Sequence, residues 1–143
     1  MNDRTKKVIN AGSIDTDPEK LKRLSRDKDK LIRRRVAANQ ACMQSILTRL
    51  AKDDSKDVRR EVALNPQSSY VTLTNLSFDR SPDVRYAIAE SVRTPMALLR
   101  RMSHEDPNPY VRFRAQETVD NLEAFLEEIR KDRNIRCYMD HLE

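Results

Sequence analysis

Aliphatic side chains recur along this chain in two alternating stripes, and the pair of stripes itself repeats. Ile32, Val58 and Val84 stand 26 positions apart and Val111 follows at 27; four positions beyond each comes Val36, Val62, Ile88 or Ala115. A second column holds Leu21, Leu47, Leu73 and Leu99, with Leu24, Leu50, Leu76 and Met102 three positions further on. Steps of three and four put both members of a pair on one face of an α-helix. Each unit therefore predicts two short helices, one with an LxxL stripe and one with a VRxxV stripe. Neither can bury its apolar face alone, so the units must stack.

Polar punctuation marks the same boundaries. Asp29, Ser55, Ser81 and Asn108 precede the Val-Arg helices as candidate N-caps, whose side-chain oxygens can accept a free backbone N–H of the first turn. Pro82 and Pro109 follow at the first helical position, where a missing N–H costs nothing. Asn65-Pro66 ends one Val-Arg helix, and Asp17-Pro18 and Thr94-Pro95 open LxxL helices. After Val111 no breaker intervenes, and Ala115, Val119, Leu122, Leu126 and Ile129 extend one helix from about Pro109 to about Lys131. Its Glu117, Asp120, Glu123, Glu127 and Glu128 supply the polar outer face that a terminal repeat needs. The predicted organisation is a mobile arm over residues 1–16, a helical-repeat domain over 17–132 and a tail over 133–143.

Composition supports charged helices with thin apolar stripes: 36% of residues are charged, there is a single glycine and there is no tryptophan. No stretch reaches the roughly 20 apolar residues of a membrane span, and the first residues lack the apolar run of a signal peptide. A cytoplasmic protein with no membrane partner is the expectation. Cys42 and Cys137 are 95 positions apart, with only His104 and His141 as further soft ligands, so no metal-ligand spacing exists. Cys42 reads as a small buried hydrophobe.

The string DVRREVALNP, followed by a short LxxL helix and an Asp-rich turn, resembles the variant leucine-rich repeat, one of the HEAT and armadillo-like helical repeats. The resemblance spans residues 17–118, and its strength lies in four VRxxV-type units standing in register. It implies a right-handed α-α superhelix of about four two-helix repeats of ~26 residues, closed by the long C-terminal helix, with the second helix of each pair lining the concave surface. The period is slightly longer than usual for the variant repeat and much shorter than a HEAT repeat. The cysteine cluster that holds an iron–sulfur centre in the founding variant-repeat protein is missing, so no cofactor is carried over. HEAT-like alkylpurine DNA glycosylases use a pocket with Trp, which this chain lacks.

Arginine forms its own column, Arg33, Arg59, Arg85 and Arg112, each directly after the first aliphatic of its helix. At that position Arg can pair with Asp27, Asp57, Asp83 or Asp106 of a neighbouring turn and tie repeats together. Arg34, Arg35 and Arg60 exceed what such a tie requires, and Tyr86 and Phe113 align with Arg34 and Arg60 in later repeats. Between Glu19 and Arg60 there are 14 Lys/Arg against 6 Asp/Glu, while the whole chain carries +5. A basic first half attracts anionic partners at long range.

Nothing in the sequence assembles a catalytic set. There is no His/Cys/Asp grouping, no nucleophile elbow and no Gly-rich phosphate loop. Asp53–Asp54 and Glu127–Glu128 are sequence neighbours that diverge on a helix. His104 reads as a solvated turn residue and His141 as near the terminus. The expected function is a non-enzymatic scaffold whose concave face, with Arg33, Arg34, Arg35, Arg59, Arg60, Arg85, Tyr86, Arg112 and Phe113 as candidate contacts, holds an acidic or mixed-charge segment of a protein partner. The alternative is nucleic-acid binding, with phosphates tracked by the arginines of the basic repeats.

Overall fold

The computed structural model describes residues 2–131, and every secondary-structure element among them is helical. The helices are α1 (Asp3–Gly12), α2 (Pro18–Leu24), α3 (Lys30–Ala38), α4 (Gln44–Leu50), α5 (Lys56–Leu64), α6 (Tyr70–Leu76), α7 (Pro82–Glu90), α8 (Met96–Glu105) and α9 (Pro109–Lys131). The LxxL stripes lie on α2, α4, α6 and α8; the Val-Arg stripes lie on α3, α5, α7 and α9. The expected tail over 133–143 lies outside the described residues.

The Val-Arg helices pack directly on one another, α3 on α5, α5 on α7 and α7 on α9, and form one layer. The LxxL helices pack chiefly against the Val-Arg helices that flank them in sequence. All fourteen positions that define the two stripes through Met102 are buried, from Leu21 and Leu24 to Leu99 and Met102. All but Leu99 merge with Ala11, Ala37, Ala63 and Ala89 into one continuous core. Helices of seven to ten residues are too short to persist alone in water, so this shared core is what makes them helical.

The expected mobile arm is instead mainly helix α1, which packs on α3 and buries Ala11 completely. Its register explains why. Ala11, Ala37, Ala63 and Ala89 are spaced by 26 and all are buried, so α1 is a degenerate Val-Arg helix at the head of the layer. The Asn39 amide fixes it, donating to the carbonyls of Ala11 (3.0 Å) and Ser13 (2.8 Å). One repeat later Asn65 does the same to Ala37 (2.6 Å) and Asn39 (2.9 Å).

A further column falls at Thr16, Cys42, Ser68 and Thr94. The hydroxyls donate to the carbonyl six residues back, Asn10, Val62 and Ile88. Cys42 is the member without a hydroxyl; it is buried, and burial pushes its thiol up to about 11, so it stays protonated at neutral pH. Not every expected cap forms. Asp29, Asn108 and Asp17 accept first-turn N–H groups, whereas Ser55 and Ser81 make no such bond and Pro95 itself precedes α8. His104 lies in the last turn of α8, with Nδ1 2.8 Å from the Arg100 carbonyl oxygen, and is a helix residue.

Because Val62 and Leu76 belong to one continuous core, a charge at either position should disrupt the whole fold. Val62→Asp or Leu76→Asp is expected to cost more than about 4 kcal/mol and abolish cooperative thermal unfolding followed by circular dichroism. A folded variant of either kind would show that the core tolerates separation of its units.

Candidate functional site

Each turn that leads into a Val-Arg helix contains an aspartate whose Oδ1 accepts the N–H two residues on. Asp27 accepts from Asp29 (2.9 Å), Asp53 from Ser55 (2.9 Å), Asp79 from Ser81 (2.8 Å) and Asp106 from Asn108 (2.8 Å). This side-chain turn holds the backbone in the shape that starts the helix.

The same carboxylates receive the arginine column. Arg33 donates through Nε and Nη2 to Asp53 (2.7 and 3.0 Å), Arg59 to Asp79 (2.7 and 3.0 Å) and Arg85 to Asp106 (2.8 and 3.1 Å). Each guanidinium turns Nη1 back to its own turn, onto the carbonyls of Asp27, Asp53 and Asp79 respectively, and Arg112 does so onto Asp106 (2.6 Å). Lys7 begins the series with an ion pair to Asp27 at 3.4 Å, and it stands 26 residues before Arg33. The result is a ladder whose three arginine rungs each join one helix pair to the next through a two-pronged bond.

The ladder's carboxylates are Asp53, Asp79 and Asp106, which corrects the expected pairing with Asp57 and Asp83. Those two lie on the exposed flank and pair with Lys30 (3.7 Å) and Lys56 (2.5 Å). The ladder is sheltered: Arg59 retains only 5% of its surface and Arg85 8%. Burial pushes the Asp53 and Asp79 carboxyls up, but the guanidinium and turn N–H bonded to each outweigh it and hold both below the ordinary carboxylate value. The bonds to Asp53 and Asp79 raise Arg33 and Arg59 in turn, so both stay charged.

Four of the other sequence candidates share one exposed face of the layer. Arg34, Arg60, Tyr86 and Phe113 occupy equivalent positions on α3, α5, α7 and α9, and all four are exposed. Arg34 reaches Glu61 on the next helix at 2.8 Å and stays half-exposed. Arg35 and Arg60 are exposed with no ion pair among the described residues. A shallow cavity of about 250 Å³ brings Arg60 and Tyr86 together between α5 and α7, with Lys56 and Asp83 at its rim. Phe113 is 70% exposed, and Tyr110, one turn earlier on α9, is 76% exposed. Tyr110 went unnoticed in the sequence because it has no aromatic counterpart in earlier repeats.

The candidate residues thus divide. Arg33, Arg59 and Arg85 are committed to the ladder, and Arg112 is bonded to the turn below it. Arg34, Arg35, Arg60, Tyr86 and Phe113 remain on the surface, basic at one end of the layer and aromatic at the other. No grouping of three or more His, Cys, Asp or Glu able to hold a metal occurs among the described residues. Nor is any described helix long and apolar enough to cross a membrane. Comparison with known proteins finds no matching family model, curated protein or solved structure.

Removing one partner of a buried rung leaves the other charge uncompensated. Arg59→Ala should cost about 3–5 kcal/mol in urea unfolding, and Arg59→Lys, which keeps the charge but loses the fork, should cost less. The pH dependence has a fixed sign. A carboxyl held below its ordinary value contributes stability above that value and loses it as pH falls through the folded value. Unfolding free energy should therefore drop below about pH 4, and Asp79→Asn should flatten that drop while lowering stability at pH 7.

Proposed function

We propose that this chain is a non-enzymatic binding scaffold, built as a right-handed α-α solenoid of the variant leucine-rich and HEAT-like kind, whose concave Val-Arg face holds an extended segment of a partner protein. Direct packing between successive Val-Arg helices supports the curvature, since LxxL helices that chiefly touch their flanking neighbours take the longer, outer arc. The observation that carries the function is the exposed column Arg34, Arg60, Tyr86 and Phe113. Regular repetition presents one side chain per repeat to the same surface, and here that side chain changes from guanidinium to aromatic ring.

An extended peptide suits such a column. Packed helices stand about 8–10 Å apart, so the three steps from α3 to α9 span roughly 24–30 Å, the length of about eight or nine extended residues. The partner segment would place carboxylates over Arg34, Arg35 and Arg60 and apolar side chains over Tyr86, Tyr110 and Phe113. Backbone-tracking of nucleic acid is the weaker reading, because Arg33 and Arg59 have their donors occupied by the ladder and the aromatic end adds no positive charge.

The test compares ten-residue peptides, half acidic and half leucine-rich in both orders, with a single-stranded DNA oligomer of equal span. One peptide order should bind best. Arg34→Glu with Arg60→Glu should weaken it about tenfold or more, and Tyr86→Ala with Phe113→Ala should do the same without changing its salt dependence. Failure of both peptides to bind would overturn the proposal. Oligomer binding with a steep salt slope, in the absence of peptide binding, would replace it by the nucleic-acid reading.

A further inference from the structure

The edge where the Val-Arg helices begin forms the same niche twice. In the later copy, between the α6–α7 and α8–α9 turns, Arg101 donates to Ser77 Oγ at 2.7 Å and Arg85 pairs with Asp106 behind it. The guanidinium of Arg101 lies 3.9 Å from the centre of the Phe78 ring, which satisfies its outer face, and Glu105 lines the remaining hollow of about 220 Å³. That copy is lined by two arginines and three carboxylates.

In the earlier copy, between the α2–α3 and α4–α5 turns, the frame is unchanged. Arg49 donates to Ser25 Oγ and to the Ser25 carbonyl, and Arg33 pairs with Asp53 behind it. The lining differs. Arg26 stands 52 residues before Phe78 and replaces the ring by a second cation, and Lys52 occupies the rim where the later copy has Glu105. Lys28 adds another positive charge to a hollow of about 530 Å³.

Two of the three carboxylates that line the niche are already engaged, Asp27 with Lys7 and Asp53 with Arg33. Among the described residues Arg26, Lys28, Arg49 and Lys52 form no ion pair, although Asp54 also lines the niche. Burial, and next the charge of Arg26, hold Arg49 below the ordinary guanidinium value. Like charges collected around a concavity repel one another, and the repulsion is relieved by an anion seated between them.

We propose that this niche is an anion site for a phosphate-bearing ligand, with Arg26, Arg49 and Lys52 as its principal donors. A single carboxylate would leave most of the charge unpaired. A multiply charged tetrahedral oxyanion matches several cations at once and accepts the guanidinium fork. The bond from Arg49 to Ser25 positions that guanidinium, as its counterpart in the later copy does, so the ligand meets a preset donor. The site lies on the turn edge and uses none of the residues of the Arg34–Phe113 column.

The experiment titrates the full chain with pyrophosphate at low salt by calorimetry, with citrate as a polycarboxylate control. One saturable pyrophosphate site is expected, with citrate weaker. Arg26→Phe combined with Lys52→Glu, which installs the lining of the later copy, should weaken pyrophosphate about tenfold or more while leaving thermal unfolding unchanged. The Nε–H resonances of Arg26 and Arg49 should move during titration of the unaltered chain, a readout that needs no variant. No saturable binding, binding that survives the double substitution, or equal affinity for citrate would overturn the proposal. Loss instead through Arg34→Glu with Arg60→Glu would place the anion on the other face and overturn it equally.

Discussion

A turn aspartate shared between successive helix pairs is the constraint on which this architecture depends. Asp53 accepts the Ser55 N–H that starts α5, takes the fork of Arg33 from the preceding repeat, and offers its own carbonyl to Arg59 of the same repeat. Asp79 repeats all three roles for α7. One residue type therefore sets the local chain direction and the register between units together. With aliphatic stripes only two residues wide on helices of seven to ten residues, apolar contact alone would leave neighbouring helices free to slide. A bidentate bond permits one offset. Against an apolar replacement the net stabilisation of such buried pairs is small, because desolvation offsets most of the attraction; their contribution here is geometric.

The aliphatic columns were legible from spacing because burial follows helical period directly, and the long last helix was legible because breakers stop after Pro109. The carboxylate partners were harder. Asp57 and Asp83 stand closer in sequence to Arg59 and Arg85 than the true partners do, but they lie within the helices, on the exposed flank. Asp53 and Asp79 lie in the turns, and only the turn geometry decides that a carboxylate 20 residues later faces the guanidinium. Helix α1 escaped notice for a related reason: Lys6 stands where Ile32 and Val58 stand, so the VRxxV signature is broken. The register nevertheless persists in Lys7, Ala11 and Thr16, each 26 residues before its counterpart. Columns of alanine and hydroxyl residues carry repeat information that hydrophobicity alone passes over.

The arginines show how one residue type divides between fold and surface. Arg33 and Arg34 are adjacent on α3, yet helical geometry turns them some 100° apart. Arg33 points into the turn layer and finds a carboxylate and two carbonyls, while Arg34 points to the open face and is half-exposed. Net charge could not separate them. The positive charge of the first half is therefore not equally available to a partner: Arg33 and Arg59 are held in the ladder, while Arg34, Arg35 and Arg60 stay exposed.

The 26-residue periodicity of the sequence makes equivalent positions of successive helix pairs an internal control for one another. Where chemistry recurs at every equivalent position, the contact between units is a sufficient reason for it, as with the alanine column and the ladder. Where equivalent positions differ while their framework does not, packing gives no reason for the difference. Arg34 and Arg60 become Tyr86 and Phe113 on an unchanged helix face, and Phe78 with Glu105 becomes Arg26 with Lys52 around an unchanged Arg–Ser bond. Both substitutions leave side chains exposed and, at the turn niche, unpaired. An exposed ring or an uncompensated cation in a concavity contributes nothing to a stack already held by its core and ladder, so a ligand is the economical physical reason for each.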